Sequence, residues 1–281
     1  MSSQRNLTEI RKVGMMKKFK DKVVWITGAS SGIGEALAYE WGRSGARLIL
    51  SSNEPDELNR VVDACRKKGY EAEFLFLDLA DSGRMPQKAG EAQKIWGSVD
   101  LLVNNGGISQ RSIARDTDFE VDRRIMEIDY FGHVALTKAI LPHMVQRGSG
   151  HIVVTTSVAG LIALPLRSAY CAAKHALHGF FETLRAEVYD DGIRVTLAAP
   201  AAVRTDISIR ALTENGSRFN RMDNQIEKGI TPAECARRIV AAAAGEKALV
   251  ILGKGQGKWG VYIYRFFPGL FRRLVRRAKV L

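Results

Sequence analysis

Seven short apolar runs rich in β-branched residues alternate along this chain with stretches of helical periodicity, and this alternation constrains the fold most. The runs are KVVWITG (22–28), ARLILSS (46–52), EAEFLFLD (71–78), DLLVNN (100–105), GHIVVTTS (150–157), IRVTLAAP (193–200) and ALVILG (248–253). The helical patterns cover Gly34–Ser44, Pro55–Lys68, Ser82–Trp96, Phe119–Gln146, Ser168–Tyr189 and Pro232–Ala244. Such alternation predicts parallel strands covered by helices on both faces and joined by right-handed crossovers. The sequence therefore predicts an α/β fold with a doubly wound parallel sheet.

The length and composition fit a single domain of this kind. With 281 residues, of which 46% are hydrophobic, the chain can bury one sizeable core. Its three cysteines, Cys65, Cys171 and Cys235, are scattered, odd in number and without metal-ligand spacing. This pattern is typical of a reducing compartment and predicts neither a disulfide framework nor a metal site.

The formal net charge of +12 is concentrated at the two ends of the chain. Residues 1–22 carry seven basic and two acidic side chains, and residues 247–281 carry nine basic and no acidic ones. The remainder is nearly neutral, which argues against a nucleic-acid-binding surface across the fold. We therefore divide the chain into a basic N-terminal extension (1–20), one α/β domain (21–252) and a basic C-terminal tail (253–281).

Neither the N-terminus nor the longest uncharged run predicts a segment that crosses a membrane. The N-terminal twenty residues lack the apolar core of a signal peptide. The uncharged run 148–166 is long enough to span a membrane, but it contains Pro165 and polar residues such as His151 and Ser157, and it overlaps the fifth predicted strand. We interpret that run as part of the sheet and expect a cytoplasmic protein.

A glycine-rich turn follows the first predicted strand. The letters TGASSGIG place Gly28, Gly32 and Gly34 directly after this strand and at the start of a helical pattern. Bare backbone at such a turn lets a pyrophosphate approach, and the helix N-terminus offers N–H groups and a positive dipole. The motif favours a Rossmann-like dinucleotide site, although a strand-to-helix turn without a ligand can carry the same glycines.

A tyrosine and a lysine are spaced to share one face of a helix. Tyr170 and Lys174 stand four residues apart in YCAAK, with Ser157 thirteen residues upstream. An ammonium beside a phenol favours the phenolate, which makes the tyrosine a usable proton donor and acceptor. A serine hydroxyl could then hold a substrate oxygen against it. By itself such a pair is more often part of a solvated helix face.

Five motifs in a fixed order resemble the short-chain dehydrogenase/reductase family. They are TGASSGIG, Asp78-Leu79 after the third strand, NNGG at 104–107, Ser157 and YCAAK, and the likeness covers roughly residues 20–252. Within this family, the stretches NNGGISQRS, GHVALTKAILPHM and YCAAKHALHGFFETLRAE are similar to the branch that holds the 11β-hydroxysteroid dehydrogenases and dehydrogenase/reductase member seven. Residues 21–252 would then be the catalytic domain.

The resemblance implies a role for each of the motif residues. Tyr170 would be the acid/base, Lys174 would assist it and bind the nicotinamide ribose, and Ser157 would position the substrate oxygen. The implied cofactor-binding residues are Gly28, Ser30, Ser31, Gly32, Ile33, Gly34, Ser52, Asn53, Asp78, Leu79, Asn105, Gly106, Tyr170, Lys174, Val203 and Thr205. The resemblance also implies a mobile substrate loop within 201–230, and a dimer or tetramer built on the long fourth and fifth helices.

The chain departs from the family pattern at two places near the expected chemistry. In MEIDYFG, Asp129 stands where the family usually has Asn, which holds a water that links the lysine to solvent. Asp129 could keep that role or lose it, and its charge would stabilise the Lys174 ammonium while opposing the phenolate. Pro200-Ala201 replaces the usual Pro-Gly, which puts the backbone path near the nicotinamide in question.

The cofactor is expected to be NAD or NADP, with a slight preference for NAD. A carboxylate at the end of the second strand holds the ribose 2′-OH of NAD, whereas an arginine there favours the 2′-phosphate of NADP. Here Ser52 and Asn53 occupy that strand end, Ser31 stands where some NADP users carry a cation, and Glu54 would repel a phosphate. The alternative is a cation supplied from outside these motifs.

The C-terminal stretch PGLFRRLVRRAKVL has the pattern of a basic amphipathic helix. Its apolar side would hold Leu270, Phe271, Leu274, Val275, Ala278 and Leu281, and its basic side Arg272, Arg273, Arg276, Arg277 and Lys279. Such a helix is typical of a membrane-surface segment, although it could equally pack on its own domain or on a sister subunit.

Together these features predict an NAD(P)-dependent oxidoreductase that interconverts a secondary alcohol and a ketone. The apolar GLIALPL after Ser157, the tail and the resemblance favour a small lipophilic substrate. The alternative is a non-catalytic, cofactor-binding protein that docks on membranes or partners through its basic tails.

Overall fold

The computed structural model describes residues 18–253 and 256–277. Its centre is a sheet of seven parallel strands in the order β3-β2-β1-β4-β5-β6-β7. The strands are β1 (Val23–Thr27), β2 (Arg47–Ser51), β3 (Ala72–Phe74), β4 (Leu101–Asn104), β5 (Gly150–Thr155), β6 (Ile193–Pro200) and β7 (Leu249–Leu252). Each strand lies within one of the predicted runs, so the doubly wound α/β fold is confirmed.

Helices connect these strands and cover both faces of the sheet, and two more helices follow the last strand. They are α1 (Gly32–Arg43), α2 (Pro55–Lys67), α3 (Met85–Trp96), α4 (Phe119–Met126), α5 (Gly132–Gln146), α6 (Ser168–Glu187), α7 (Asn224–Glu227), α8 (Pro232–Ala244), α9 (Gln256–Phe266) and α10 (Pro268–Arg276). Short 3₁₀ turns cover Ser82–Arg84 and Val158–Gly160.

The strands are apolar throughout because successive side chains enter two different cores. On β1, Val24 and Ile26 pack into a cluster with residues of α1, α2 and α8. The alternate residues Val23 and Trp25 pack into a second cluster with residues of α3, α5 and α6. Burial on both faces is what turns the usual alternation of apolar and polar residues into continuous apolar runs.

The fourth predicted helix is interrupted by a π-helical turn. The prediction was one helix over Phe119–Gln146, but a π segment at Glu127–Phe131 separates α4 from α5. Asp129 lies in this segment and is fully buried. A π turn often marks a functional position, because it re-aims side chains that a regular helix would place elsewhere.

The order of the strands creates a crevice at the carboxyl edge of the sheet. The chain passes from β1 to β2 through α1 on one face, whereas α3 leads from β3 to β4 on the other face. The loops after β1 and β4 therefore diverge, and ligands of doubly wound folds bind where they diverge.

The predicted tail helix begins at Pro268 as α10, and a further helix, α9, precedes it. Phe271 on α10 is buried, with its ring centroid 5.2 Å from that of Tyr264 on α9, so the apolar side predicted for the tail is divided. Leu270 and Leu274 remain exposed. The predicted tail residues Ala278, Lys279 and Leu281 lie outside the described residues, as does most of the N-terminal extension. Within the described ranges, no helix has the length and apolar character needed to cross a membrane.

Candidate active site

A cavity of about 950 Å³ lies at the carboxyl ends of the strands and extends under the segment after β6. It brings together the predicted residues Gly28, Ser30, Ser31, Gly32, Ile33, Ser52, Asn53, Asp78, Leu79, Asn105, Gly106, Asp129, Ser157, Tyr170, Lys174, Val203 and Thr205. These residues come from positions 28 to 205, so the fold converts a dispersed set into one site. Gly34 is the predicted residue that does not line the cavity.

Gly34 allows α1 to pack closely against β1 and does not line the cavity. A Cβ atom built on Gly34 would lie 2.0 Å from the carbonyl oxygen of Gly28, so α1 can approach β1 only if residue 34 has no side chain. This close helix-strand packing is the known task of the third glycine in a dinucleotide-binding turn. The prediction that Gly34 contacts the cofactor directly is therefore not supported by its position.

The first glycine of the turn lets two backbone segments meet at the cavity floor. Gly28 has a φ of +63°, which glycine adopts without strain, and its Cβ would lie 2.5 Å from Gly106 Cα. Thr27 fixes this contact, because its Oγ1 accepts hydrogen bonds from the backbone N–H groups of Asn105 (2.9 Å) and Gly106 (3.1 Å). The floor is thus rigid, bare backbone of the kind a pyrophosphate needs.

Tyr170 and Lys174 lie on one face of α6, as their spacing predicts, and Ser157 follows β5. The Lys174 Nζ atom lies 5.6 Å from the centroid of the Tyr170 ring. The Ser157 hydroxyl accepts a hydrogen bond from the Ala159 N–H at 3.1 Å and lies 3.4 Å from the Pro200 carbonyl oxygen. The three side chains line the same cavity.

Asp129 forms a buried ion pair with Lys174. The distance between Asp129 Oδ2 and Lys174 Nζ is 3.0 Å, and the two side chains are 0% and 4% exposed. The other oxygen, Oδ1, accepts the N–H of Ile108 at 2.8 Å. The expectation that Asp129 stabilises the ammonium agrees with this geometry.

Burial and charge act on this pair in opposite senses. Burial raises the pKa of the Asp129 carboxyl above its usual range, with Lys174 and the Ile108 N–H opposing the rise. Burial also disfavours the Lys174 ammonium, but the charges of Asp129 and Tyr170 outweigh it and raise the pKa of Lys174. Lys174 is therefore held protonated, with part of its charge offset by Asp129.

The sequence left open whether Pro200-Ala201 alters the backbone path near the nicotinamide, and the structure shows a regular backbone there. Ala201 is not among the residues with positive φ, and its N–H donates to the Leu252 carbonyl at 2.7 Å. The room for its methyl group comes from glycines opposite, since a Cβ on Gly253 or Gly257 would lie within 3 Å of Ala201 Cβ. The lost glycine at 201 is thus compensated elsewhere.

Gln110 is a positioning residue that the sequence did not reveal. Its Oε1 accepts the N–H of Ala169 at 2.9 Å, and its Nε2 lies within hydrogen-bonding distance of Ser112, Thr117 and Ser168. Gln110 therefore ties the loop after β4 to the first turn of α6, which carries Tyr170. No local sequence pattern signals this contact.

Two guanidinium groups share one buried carboxylate beside the cavity. Asp223 Oδ2 accepts from Arg111 at 3.1 Å and from Arg167 at 2.7 Å, while Asp223 Oδ1 caps α7. Burial, together with the like charge of Arg167, lowers the pKa of Arg111 to about 10. This cluster fixes the segment after β6 against the loop after β4, and the sequence did not reveal it either.

A second ion pair joins the segment after β6 to the far end of the cavity. Arg210 Nη1 lies 2.8 Å from Glu54 Oε1 and 3.0 Å from Glu54 Oε2. Both residues line the cavity, and Glu54 follows Ser52 and Asn53 at the end of β2. Arg210 is therefore a cation from outside the motifs, the alternative that the sequence left open, and it reaches this strand end from 156 residues away.

The residues present fit a nicotinamide dinucleotide. Gly28, Gly32 and Gly106 leave bare backbone where a pyrophosphate would lie, and a Cβ on Gly32 would come within 3.1 Å of Thr205 Cγ2. Ser52 and Asn53 would hold the adenosine ribose, and Lys174 the nicotinamide ribose. Asp78 and Leu79 would border the adenine.

The chain is similar to proteins of one family along most of its length. A family model described as short chain dehydrogenase matches residues 22–215. Dehydrogenase/reductase SDR family member 7B of Bos taurus is 42% identical over 262 residues, which cover 91% of this chain and 81% of that protein. Dehydrogenase/reductase SDR family member 7 of Homo sapiens is 38% identical over 253 residues, covering 88% and 75% respectively.

Solved structures agree with this result. A short chain dehydrogenase/reductase from Burkholderia phymatum in complex with NAD superposes with a TM-score of 0.76 and 26% identity, covering 83% of this chain and 89% of that one. A metagenomic short-chain oxidoreductase in complex with NADP gives 0.70 and 26%, covering 83% and 97%. The chain therefore belongs to the short-chain dehydrogenase/reductase family. It is an NAD(P)-dependent oxidoreductase, similar over most of its length to family members 7 and 7B.

Proposed function

We propose that the enzyme interconverts a lipophilic secondary alcohol and its ketone, with Tyr170 as proton donor and acceptor. The observation that carries this proposal is the meeting of Ser157, Tyr170 and Lys174 with the glycine turn around one cavity. Hydride transfer requires this combination, because the reacting carbon and the proton-moving group must be held together.

Each side chain has a distinct task in the proposed reaction. A bound nicotinamide cofactor supplies or accepts the hydride. Tyr170 donates its phenolic proton to the ketone oxygen during reduction and recovers one during oxidation. The Lys174 ammonium stabilises the phenolate, and Asp129 keeps that ammonium protonated. Ser157 donates its hydroxyl proton to the same substrate oxygen in a hydrogen bond.

The apolar part of the cavity lining supports a lipophilic substrate. Apolar side chains of several segments line the cavity, namely Val158, Ile162, Leu164, Ile207, Leu212 and Ile226. Burying an apolar substrate against them contributes roughly 25 cal/mol for each Å² removed from water. A polar alcohol without an apolar body would gain little there.

Reduction of a panel of ketones by the purified full chain tests this function. With NADH and NADPH supplied, we expect turnover of apolar ketones and its near-complete loss in Tyr170→Phe, with cofactor affinity nearly unchanged. Tyr189→Phe is the matched control, since Tyr189 is exposed and does not line the cavity. Near-wild-type turnover in Tyr170→Phe would refute the role of Tyr170.

A cofactor-binding protein without catalysis is the alternative. Replacement of the usual Asn by Asp129 is the feature that favours it, whereas the complete set of Ser157, Tyr170 and Lys174 disfavours it. The same panel separates the two, because cofactor binding without reduction of any ketone would favour the alternative.

We further propose that NAD is bound at least as well as NADP. Ser31 and Asn53 are uncharged, and Arg210 is already engaged by Glu54. Titration of both cofactors under identical conditions checks this preference. Tenfold or tighter binding of NADP would contradict it.

We also propose that the C-terminal helices dock on an anionic membrane surface. Exposed aromatic and aliphatic side chains, Trp259, Phe266, Phe267, Leu270 and Leu274, lie beside exposed arginines of α10. Each cation near such a surface contributes about 1 kcal/mol. A cytoplasmic protein would reach this surface from solution, and assembly into a dimer or tetramer would multiply the contacts.

Sedimentation with anionic vesicles tests the docking proposal. We expect binding that salt weakens and that Leu270→Ser with Leu274→Ser reduces, while the unfolding temperature stays unchanged because both side chains are exposed. Truncation after Pro268 should abolish binding. If the full chain ignores such vesicles at low salt, the helices serve packing or self-association, and size-exclusion chromatography of the truncated chain distinguishes these two.

A further inference from the structure

Arg167 is a nearly buried cation with few partners. Its side chain is 9% exposed, and among the residues that the structure describes its guanidinium donates one hydrogen bond, from Nη2 to Asp223 Oδ2 at 2.7 Å. A guanidinium carries five N–H groups, and buried polar groups in proteins normally have partners. The Arg167 guanidinium therefore has donors left for a ligand.

The carboxylate that holds Arg167 is shared with a second buried arginine. Asp223 Oδ2 also accepts from Arg111 at 3.1 Å, and Asp223 Oδ1 accepts the Gln225 N–H at 2.8 Å. The Arg111 side chain is 1% exposed, and its Nε atom is buried without a hydrogen-bond partner in the described part of the chain.

The charges of this cluster do not balance. Arg111 and Arg167 carry two positive charges, and Asp223 is the one carboxylate within ion-pair distance of either among the described residues. A buried charge that lacks a counter-ion is costly, so the cluster favours the binding of a further anion.

The cluster lies at the end of the cavity that holds Tyr170. Arg111 and Arg167 both line the cavity, and Arg167 precedes the first residue of α6, three positions before Tyr170. The N–H of Arg111 donates to the carbonyl of Leu212, which belongs to the apolar part of the lining, at 2.8 Å. The cofactor pyrophosphate is expected elsewhere, at the glycine turn before α1. The anion that fits the cluster is therefore part of the substrate.

Other cations line the same cavity. Arg124, Arg218 and Lys228 are exposed and form no salt bridge within the described ranges, and the exposed carboxylate of Asp206 offsets one of them. A cleft lined mainly by one sign of charge raises the local concentration of ligands of the opposite sign. The cavity therefore favours the entry of an anion as well as its binding.

We propose that Arg167, supported by Arg111, binds an oxyanion group of the substrate, so that the enzyme acts on a ketone or alcohol with an apolar body and a carboxylate or phosphate group. The inference rests on the proposed function and narrows its substrate class. Arginine suits either group, because its planar fork pairs with both through parallel hydrogen bonds.

Calorimetric titration of the full chain, saturated with oxidised cofactor so that no ketone is reduced, tests the inference. Benzoylpropionate is compared with its methyl ester, and phenacyl phosphate with phenacyl alcohol, so that each pair shares an apolar body and differs in the anion. We expect at least one anionic ketone to bind tenfold or more tighter than its neutral partner. The pair that shows this preference identifies the group as a carboxylate or a phosphate.

Substitution of Arg167 assigns the preference to this residue. Arg167→Gln leaves Asp223 paired with Arg111, so no carboxylate loses its only partner, and the preference for the anion should fall below threefold. Arg167→Lys should keep part of the preference, because it retains the charge without the fork. Arg115→Gln is the matched control and should keep all of it, since Arg115 is exposed and does not line the cavity.

The outcomes separate this inference from the proposed function. If the wild type shows no preference in either pair, or if Arg167→Gln keeps the preference, the anion site is refuted, while reduction of neutral ketones would still support the oxidoreductase activity. Binding that depends on the anion and on Arg167, without reduction of any ketone, would support the anion site and refute the proposed reaction. The comparison of the wild type with acid and ester does not depend on whether the variants fold.

Discussion

Two ion pairs stand at two ends of the same cavity, and they differ in burial rather than in distance. Lys174 and Asp129 approach to 3.0 Å with 4% and 0% of their side chains exposed. Arg210 and Glu54 approach to 2.8 Å with 39% and 37% exposed. The first pair sits beside Tyr170 and the second beside the end of β2.

Burial decides what each pair can do. A buried charge that loses its partner cannot recover its hydration, so breaking such a pair is costly. Water and salt screen an exposed pair, and the median contribution of such a pair is about 0–1 kcal/mol. The Lys174 pair is therefore a fixed part of the structure, whereas the Arg210 pair can break at little cost in stability.

The largest effect should come from breaking the buried pair. Asp129→Ala leaves the Lys174 ammonium and the Ile108 N–H without their buried acceptor, and we expect the free energy of unfolding to fall by about 3–5 kcal/mol. Urea denaturation measures this change. Glu120→Ala, which removes the exposed partner of Arg123 on α4, should cost less than about 1 kcal/mol. Equal losses in the two variants would refute the distinction.

The pH dependence of stability should show an intermediate effect next to the buried pair. Burial, followed by the charge of Lys174, lowers the pKa of His133 from 6.5 to about 3. The unfolded chain therefore binds a proton below about pH 6.5 that the folded chain does not. The contribution of His133 to stability is fully present above pH 6.5 and is lost as the pH falls towards 3, reaching a loss of about 2 kcal/mol at pH 5.

Urea denaturation at pH 7.5 and pH 5 checks this expectation. His133→Gln should have a smaller difference in stability between the two pH values, even if the variant is less stable at both. His143→Gln, at an exposed position of α5, should behave as the wild type. If His133→Gln loses as much stability between pH 7.5 and pH 5 as the wild type does, groups other than His133 cause the loss of stability in acid.

The smallest effect should come from breaking the exposed pair. Arg210→Gln keeps most of the side-chain bulk and removes the charge opposite Glu54, so we expect the free energy of unfolding to change by less than about 1 kcal/mol. Urea denaturation measures this change as well. A loss as large as that of Asp129→Ala would mean that the segment after β6 depends on Arg210 for its fold.

The sequence predicted the parts of the site that are encoded locally. The glycine turn spans 28–34 and YCAAK spans 170–174, so the period of a helix or the end of a strand is enough to place their side chains. The seven strands could also be predicted, because burial on both faces makes each of them a continuous apolar run in the sequence. Fold and motif positions therefore followed from short stretches of chain.

The parts that the sequence did not predict depend on long-range contacts. Glu54 and Arg210 are 156 residues apart, and Arg111 and Asp223 are 112 apart, so no spacing rule connects them. The π turn that carries Asp129 was not predicted either, because such a turn has no simple periodicity. The burial of Phe271 against Tyr264 was not predicted either, because a helical wheel of the tail alone cannot indicate which of its apolar side chains are buried.

The π turn at Glu127–Phe131 is equivalent to the insertion of one extra residue into a continuous α-helix over 119–146. Each residue of an α-helix turns the chain by about 100°, so deleting one residue here would rotate all of α5 relative to α4. His133, Leu136 and Ile140 would then leave the faces they now occupy, and Asp129 would no longer be aimed at Lys174. This stretch should therefore tolerate substitutions better than changes of length. A one-residue deletion in it should abolish catalysis by misplacing Asp129 and α5, although it removes none of Ser157, Tyr170 and Lys174.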